Sequence, residues 1–281
     1  MTEHPAPYGG AAAAPASRKR VRIPQLQEMK DRGQKWAMLT AYDMYTAATF
    51  DEAGIPVLLV GDSASNNVFG NETSLPVTVD ELIPLARAVT RSAAHALVIA
   101  DLPFGSYQAS PEQCFHTAVR FMKEANVHAV KLEGGAEMAP QVELLTKSGI
   151  PVMAHIGFTP QSEHTLGGYR VQGRGADAER LLADAQALEA AGAFAVLMEM
   201  IPGDVAADIT RALRVPTVGI GAGSGCDAQV LVWQDMAGLR TGRLPRFVKQ
   251  YADMHTMLLT AAQDYAAEVT AGTFPAAEHT F

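Results

Sequence analysis

The sequence predicts an α/β protein with one domain folded as a (β/α)₈ TIM barrel. Short apolar runs alternate with helical segments through most of the chain, and eight such runs match the strand number of this barrel. The runs are continuously apolar rather than alternating, which is typical of parallel strands that are covered on both faces. No linker or second composition regime follows residue 22. A doubly wound open sheet is the alternative, because strand number alone does not establish closure.

The candidate strands follow one another at barrel-like intervals. Pro56, Pro151 and Pro216 each stand at the entry to a run, where the missing N–H of proline costs least. The eighth run is the least distinct. The predicted strands cover residues 36–42, 57–60, 96–101, 129–132, 152–155, 195–199, 217–219 and 230–235.

Several helices carry start or stop signals. Thr78 and Glu81 form a capping-box pattern, although Pro84 is expected to limit or kink the opening turn. Ser110 precedes a proline at the first helical position, which is a stronger start. The pattern also predicts that Asp177 caps a helix that ends at Gly192. We therefore expect helices between most of the strands.

Composition and charge narrow the class of partner. The 281 residues contain 22 Lys plus Arg and 30 Asp plus Glu, a net charge of −8, with 48% hydrophobic and 19% charged residues. This balance is that of a globular chain, and its acidity argues against a broad nucleic-acid surface. The one basic cluster contains Arg18, Lys19, Arg20 and Arg22. It falls in residues 1–22, which we interpret as a disordered leader, so the catalytic domain is expected over 23–281.

The chain has the features of a cytoplasmic protein. Cys114 and Cys226 are the two cysteines, too few for a disulfide framework and without zinc-ligand spacing. No run of 18 apolar residues predicts a membrane span, and the first residues lack a secretion-signal pattern. We expect a reducing compartment, a small-molecule substrate, and neither nucleic-acid nor membrane partners.

Ionisable side chains gather where the predicted strands end. Parallel barrels build their active sites at the carboxyl ends of the strands, so residues from successive strands should meet there. Charges in such apolar surroundings must be paired or bind an ion. The candidates, in strand order, are Asp62 and Ser63, Asp101, Lys131 and Glu133, His155, and Glu199.

Three of these carboxylates form a candidate magnesium site. Asp62, Asp101 and Glu133 supply hard oxygen ligands, which suit Mg²⁺. Glu199 lies in an apolar run, where desolvation would raise its pKa and make it a plausible proton acceptor. Each residue also has a structural interpretation. Asp62 could cap a helix, Lys131 could form an ion pair with Glu133, and His155 and Glu199 could be hydrogen-bonded core residues.

Two glycine-rich segments are weaker signals. Residues 219–223 resemble a phosphate-binding turn but lack the rest of the dinucleotide fingerprint. Residues 167–175 form a long loop with two arginines, which could be a lid over an anionic substrate or a solvated loop.

Taken together, the motifs resemble those of the ketopantoate hydroxymethyltransferase (3-methyl-2-oxobutanoate hydroxymethyltransferase) family. The similarity runs in order over about residues 24 to 281. The tail residues Phe274-Pro275 and Glu278-His279 also match. The matching segments are LTAYD (39–43), VGDS (60–63), LPVT (75–78), ADLPF (100–104), VKLEGG (130–135), GFTPQS (157–162), GYRVQGRG (168–175) and GIGAG (219–223). Residues 64–67 and 163–164 depart from the usual family pattern.

The resemblance implies a Mg²⁺-dependent enzyme of pantothenate (coenzyme A) biosynthesis. Its donor would be 5,10-methylenetetrahydrofolate, its acceptor 3-methyl-2-oxobutanoate, and its assembly a homo-oligomer, often a decamer. Glu199 would be the proton acceptor. The resemblance also implies that Asp62, Asp101 and Glu133 hold the metal, and that Asp62, Ser63, Asp101, Lys131 and His155 bind the oxo acid.

Two other functions are compatible with the same residues. A lyase or mutase of the phosphoenolpyruvate mutase/isocitrate lyase group would also use a barrel, Mg²⁺ and an enolate. Lyases of that group rely on a cysteine-bearing loop, and neither Cys114 nor Cys226 lies in such a setting. A non-catalytic paralogue would bind an oxo acid without needing a base such as Glu199.

Overall fold

The computed structural model describes residues 19–281 and contains a closed, eight-stranded barrel. Every pair of neighbouring strands is parallel, and β8 closes the barrel on β1 through pairs such as Trp36 with Ala228. This confirms the (β/α)₈ prediction and excludes the open sheet. The strands are β1 (Trp36–Thr40), β2 (Val57–Val60), β3 (Leu97–Asp101), β4 (Ala129–Glu133), β5 (Val152–Gly157), β6 (Ala195–Glu199), β7 (Thr217–Ile220) and β8 (Ala228–Leu231).

The eighth strand lies earlier than the sequence predicts. Residues 230–235 were expected to form it, but β8 ends at Leu231 and Trp233–Met236 is a helical turn. The backbone N–H of Trp233 donates to Thr40 Oγ1 at 3.0 Å, which draws the chain away from the sheet. A short apolar run does not by itself distinguish a strand from a buried helical turn.

Helices surround the barrel between most strands, and β8 follows β7 directly after residues 221–227. A π-helical turn, Phe121–Ala125, continues α5. The helices are α1 (Ile23–Asp31), α2 (Met44–Glu52), α3 (Ala64–Asn67), α4 (Val79–Ser92), α5 (Pro111–Arg120), α6 (Ala139–Lys147), α7 (Glu163–Leu166), α8 (Asp177–Ala190), α9 (Gly203–Ala212), α10 (Trp233–Met236) and α11 (Met254–Ala271). None of the helices in residues 19–281 is long and apolar enough to cross a membrane.

The start signals of α4 and α5 are confirmed. Glu81 N–H donates to Thr78 Oγ1, and Thr78 N–H donates to Glu81 Oε2, which completes the capping box. Ser110 Oγ accepts from the N–H of Gln113. Helix α4 nevertheless runs on through Pro84, so the proline does not limit the helix to its opening turn. Proline has no N–H, so the carbonyl of Asp80 lacks its usual helical partner. Asp80 and Pro84 are both exposed, so this carbonyl lies on the solvent side of the helix.

The predicted cap of α8 is also wrong in detail. Asp177 is the first residue of the helix rather than its cap, and its carboxylate accepts from Gly173 N–H at 2.7 Å and from Arg180 Nε at 2.7 Å. Asp177 therefore ties the preceding loop to the helix. Gly192 follows the last turn with a φ of +101°, as predicted for a residue that ends a helix.

The ordered domain includes residues placed in the predicted leader. Residues 1–18 of that leader lie outside the described residues. Arg20 donates from its two terminal nitrogens to the carbonyls of Ala96 and Ala93, each at 2.8 Å, and Val21 N–H donates to His95 O at 2.7 Å. Arg20 and Val21 are therefore bound to the barrel.

The apolar core has two layers, one inside the barrel and one between the strands and helices. Inside, Met38, Leu59 and Ile99 fill the lower barrel. Towards the carboxyl ends of the strands the inward-facing residues become polar. Asp101, Lys131 and His155 are almost fully buried there, at 2%, 3% and 2% exposure. These buried charges mark the site.

Candidate active site

The seven residues predicted to form the site all line one cavity of about 1730 Å³. The cavity opens at the carboxyl ends of the strands, the position that barrel enzymes use. Asp62 and Ser63 follow β2, and the other five lie at the ends of β3 to β6: Asp101, Lys131, Glu133, His155 and Glu199. The prediction that they converge is confirmed.

Lys131 is the electrostatic centre of the site. Its Nζ lies 3.0 Å from Asp101 Oδ1, 3.6 Å from Glu133 Oε1 and 3.1 Å from His155 Nδ1. Burial lowers the pKa of Lys131, but the attraction of Asp101 and Glu133 outweighs it and holds that pKa above its usual value. The side chain is therefore a permanent buried cation.

His155 connects Lys131 to Glu199. Its Nδ1 faces the ammonium, which has only donors, so Nδ1 acts as the acceptor and the ring proton lies on Nε2. Nε2 lies 3.4 Å from Glu199 Oε2. Burial, then the charge of Lys131, lowers the pKa of His155, which favours this neutral form. In this form the Nε2–H lies on the side of the Glu199 carboxylate without forming a hydrogen bond to it.

Glu199 has the environment of a general base. Burial raises the pKa of its carboxyl group, and the interaction with His155 only partly opposes this effect. It is less enclosed than its neighbours, with a side-chain exposure of 14% against 3% for His155. A carboxylate with a raised pKa at the edge of a cavity is suited to accept a proton from a ligand.

The three remaining carboxylates all have raised pKa values. Burial and the charge of Glu133 raise the pKa of Asp62 to about 6, and burial raises that of Asp101 to about 6. Burial also raises the pKa of Glu133 to about 7. Lys131 is the one permanently charged cation among these groups, so the floor of the cavity carries an excess of negative charge.

That excess negative charge fits a divalent cation. Asp62, Asp101 and Glu133 offer oxygen donors of the type that Mg²⁺ prefers. Glu133 Oε1 is buried without a hydrogen-bond partner among the described residues, so it retains capacity for a ligand. Within residues 19–281 no three His, Cys, Asp or Glu side chains form a ready-made coordination cluster. The fit therefore rests on charge and donor type.

Gln161 is a site residue for which no role was predicted. Its Nε2 donates to Asp62 Oδ2 at 2.8 Å and to Leu102 O at 3.0 Å, while its backbone N–H donates to Glu133 Oε2 at 3.0 Å. Tyr107 OH donates to Gln161 Oε1 at 2.7 Å. Gln161 thus holds two carboxylates that belong to different strands. It lies in the GFTPQS segment, whose match to the family was the one available signal.

Tyr42 plays a comparable part for Ser63. The two hydroxyls lie 2.7 Å apart, and Tyr42 is buried. This contact fixes the Ser63 hydroxyl beside the carboxylate floor. Tyr42 was visible in sequence only as part of the LTAYD motif, because an aromatic residue after a strand usually belongs to the core.

Both glycine-rich segments reach the cavity. Tyr169 and Arg174 of the first segment line it, and the Tyr169 ring packs on Phe158 with centroids 4.7 Å apart. Gly221 of the second has a φ of +62°, and a Cβ there would meet the Phe247 ring at 2.8 Å. The segments therefore form part of the cavity wall.

The fold and the site together define an enzyme, a (β/α)₈ barrel with a buried acid–base centre. The family model described as ketopantoate hydroxymethyltransferase matches residues 20–277. The chain belongs to that family and is a transferase.

Sequence relatives support this assignment over nearly the whole chain. The 3-methyl-2-oxobutanoate hydroxymethyltransferase of Nocardioides sp. is 73% identical, and the alignment covers 99% of this chain and 97% of that protein. The enzyme of the same name from Saccharopolyspora erythraea is 67% identical, with 99% and 94% covered.

The solved structures that resemble this chain share its fold at low sequence identity. A phosphonopyruvate hydrolase complexed with oxalate and Mg²⁺ has a TM-score of 0.59 at 13% identity, with 92% of each chain covered. A 2,3-dimethylmalate lyase of the phosphoenolpyruvate mutase/isocitrate lyase superfamily has a TM-score of 0.54 at 17% identity, covering 89% of this chain and 98% of the lyase. The shared barrel explains why the lyase interpretation fitted the strand pattern.

Proposed function

We propose that the chain transfers a hydroxymethyl group from 5,10-methylenetetrahydrofolate to 3-methyl-2-oxobutanoate. The products are 2-dehydropantoate and tetrahydrofolate, in the biosynthesis of pantothenate and coenzyme A. The observation that carries the proposal is the contact of Glu199 with His155 beside the Lys131 ammonium. The base has a raised pKa, and beside it lies an acidic floor that contains one buried ammonium group.

The first step is binding of the oxo acid over Lys131. The Lys131 ammonium attracts the substrate carboxylate, and the Ser63 hydroxyl, fixed by Tyr42, donates to a substrate oxygen. Asp62 and Asp101, with Glu133, would hold Mg²⁺, which when bound stabilises negative charge on the substrate oxygens. The charged floor residues are almost fully buried, and a low-dielectric environment strengthens each of these attractions.

The second step is proton removal by Glu199. The C3–H of the oxo acid is weakly acidic because the resulting carbanion shares its charge with the adjacent keto group. Glu199 accepts the proton at a carboxylate oxygen, and His155 Nε2 lies 3.4 Å from this carboxylate. The raised pKa of Glu199 makes its carboxylate a stronger base, which brings its basicity closer to that of the carbanion formed at C3.

The third step joins carbon to carbon. The one-carbon unit is bonded to two folate nitrogens and carries no oxygen, so water adds to it as the first carbon–nitrogen bond breaks. C3 then attacks this hydroxyl-bearing carbon as the second carbon–nitrogen bond breaks. The proton taken from C3 and the proton released by the water end on the two nitrogens. Tetrahydrofolate and 2-dehydropantoate then leave.

The test follows the C3 proton by NMR in D₂O. With Mg²⁺, the C3 signal of 3-methyl-2-oxobutanoate should disappear, and 2-dehydropantoate should form once methylenetetrahydrofolate is added. Exchange without product would retain Glu199 as the base but refute the folate donor. Neither exchange nor product from folded, Mg²⁺-saturated protein would refute the proposal and favour the oxo-acid-binding paralogue.

We also propose that the chain works as a homo-oligomer in the cytoplasm, with a decamer as the expected assembly. The support lies in α11, whose 18 residues contain no buried position. Its exposed apolar side chains include Met257, Leu258 and Leu259, at 68%, 53% and 48%. Contiguous apolar exposure of this kind is typical of an interaction surface.

A further inference from the structure

Charge is distributed unevenly with depth in the cavity. Its floor is acidic apart from Lys131, whereas its exposed lining carries four arginines and one carboxylate, Glu72. We call these four side chains the arginine rim: Arg174, Arg240, Arg243 and Arg246. Arg174 comes from the loop before α8, and the other three from the segment between α10 and α11. Two separate parts of the chain therefore bring positive charge to the same opening.

The rim arginines are largely without protein partners. Arg240 Nη1 lies 3.5 Å from Asp235 Oδ1. Arg174, Arg243 and Arg246 form no ion pair with an acidic residue of the described part of the chain, residues 19–281. All four are exposed. Other exposed arginines of residues 19–281, such as Arg120 and Arg180, form ion pairs with carboxylates three or four residues away in the chain.

The cavity is larger than the oxo acid requires. Its volume of about 1730 Å³ exceeds the roughly 300–1,000 Å³ of ordinary small-molecule pockets. The small oxo acid occupies the floor, beside Lys131 and Glu199. Space therefore remains between the floor and the rim for a second, longer ligand that ends among the arginines.

We propose that the arginine rim binds the γ-glutamyl carboxylates of the folate cosubstrate and favours folates with several glutamates. The inference rests on the proposed function, because it names the part of the donor that the rim recognises. Each added glutamate brings a carboxylate, and guanidinium groups bind carboxylates through paired hydrogen bonds. The acidic floor repels the same tail, so the charge pattern orients the donor with its one-carbon end inward.

The experiment compares methylenetetrahydrofolate carrying one glutamate with the same donor carrying four. For the wild-type enzyme we expect KM to be about 10-fold lower for the tetraglutamate, a ratio that one or two charged contacts supply. The variant Arg243→Ala with Arg246→Ala should lose most of this ratio. Its KM for the monoglutamate should change less than about 3-fold, since that donor has few carboxylates to reach the rim.

The matched control removes two exposed arginines that do not line the cavity, Arg91→Ala with Arg214→Ala. It changes the net charge equally, so it separates local binding from general electrostatic attraction. The control should keep the wild-type ratio. C3 proton exchange, which needs no folate, should be unchanged in both variants and reports that the floor is intact.

Three outcomes would overturn the rim assignment: equal KM for both donors in the wild type, an unchanged ratio in the rim variant, or equal losses in the rim variant and control. A different result would contradict the proposed function: the wild type would form no 2-dehydropantoate with either donor.

Discussion

The side-chain Nε2 of Gln161 donates to Asp62 Oδ2 over 2.8 Å, although 99 residues separate the two along the chain. The same glutamine binds Glu133 through its backbone N–H. It therefore sets the spacing of two carboxylates that we expect to hold Mg²⁺. Because the glutamine is uncharged, it fixes them without neutralising them, and the floor keeps its attraction for a cation.

Replacing Gln161 should weaken metal binding more than it weakens the fold. Gln161→Ala leaves Asp62 Oδ2 and Tyr107 OH without this partner, which costs about 1–3 kcal/mol in stability. We expect Mg²⁺ affinity, measured by calorimetry on the metal-free protein, to fall at least about 10-fold, the equivalent of 1.4 kcal/mol.

Tyr107→Phe serves as the comparison for Gln161→Ala. It removes the hydrogen bonds of the Tyr107 hydroxyl to Gln161 Oε1 and to the backbone O and N–H of Glu133. It leaves the contacts of Gln161 with both carboxylates in place. This variant should lose stability with little loss of Mg²⁺ affinity. Equal affinity losses in the two variants would show that Gln161 acts through stability alone.

Glu199→Gln tests the assigned base directly. The amide keeps the size of the side chain but does not accept the C3 proton, so exchange should slow by about 10²–10⁴-fold. Binding of 3-methyl-2-oxobutanoate with Mg²⁺ should persist, because the floor residues are unchanged. NMR exchange and calorimetric titration measure the two properties. Glu143→Gln, an exposed residue paired with Lys147, is the control and should exchange at the wild-type rate. Exchange that survives in Glu199→Gln would remove the residue from the mechanism.

Asp51 should make stability depend on pH. Burial raises the pKa of this carboxyl group, but hydrogen bonds from Ala96 N–H, the His95 ring and His95 N–H outweigh that effect, and the pKa lies below its usual value. A lowered pKa in the folded state stabilises the protein above the unfolded pKa of about 3.9. This contribution is lost as pH falls through the folded pKa.

The measurement is urea unfolding of wild type and Asp51→Asn between pH 7 and pH 3. Since asparagine has one acceptor oxygen for a site that binds several N–H groups, the variant should be about 1–3 kcal/mol less stable at pH 7. The difference should shrink below about pH 4, as the wild-type carboxylate becomes protonated. The exposed Asp204→Asn should show no such trend. A difference that stays constant with pH would mean that Asp51 acts by packing rather than by charge.

The sequence predicted the barrel and the principal charged residues for a physical reason. Parallel strands that are buried on both faces are apolar throughout, so a charged residue at the end of one, such as Asp101 or Glu199, is conspicuous. The eighth strand was misplaced because the Trp233 turn is equally apolar and its direction is set by a tertiary hydrogen bond to Thr40.

Residues that act through their neighbours were not predictable in the same way. Gln161 and Tyr107 are neutral and lie outside the strands and α-helices, and their roles arise from contacts across 26 to 99 residues of sequence. The pairing of Lys131 with Asp101 likewise depends on the register of β3 and β4, which aligns the two residues. Such relationships appear only when the strands are placed side by side.

The exposed helix α11 should mediate self-association. Met257, Leu258 and Leu259 are consecutive and point in directions about 100° apart, so a partner that covers any wide face of the helix buries at least one of them. Replacing all three by glutamate would place charge in that interface, which is costly without a partner. Sedimentation velocity should show the wild-type assembly and a smaller species for the variant. Thr260→Glu, also exposed on α11, adds a single charge and should retain the assembly. If the triple variant sediments like the wild type, or if the wild type is itself a monomer, α11 does not form an interface between copies of this chain.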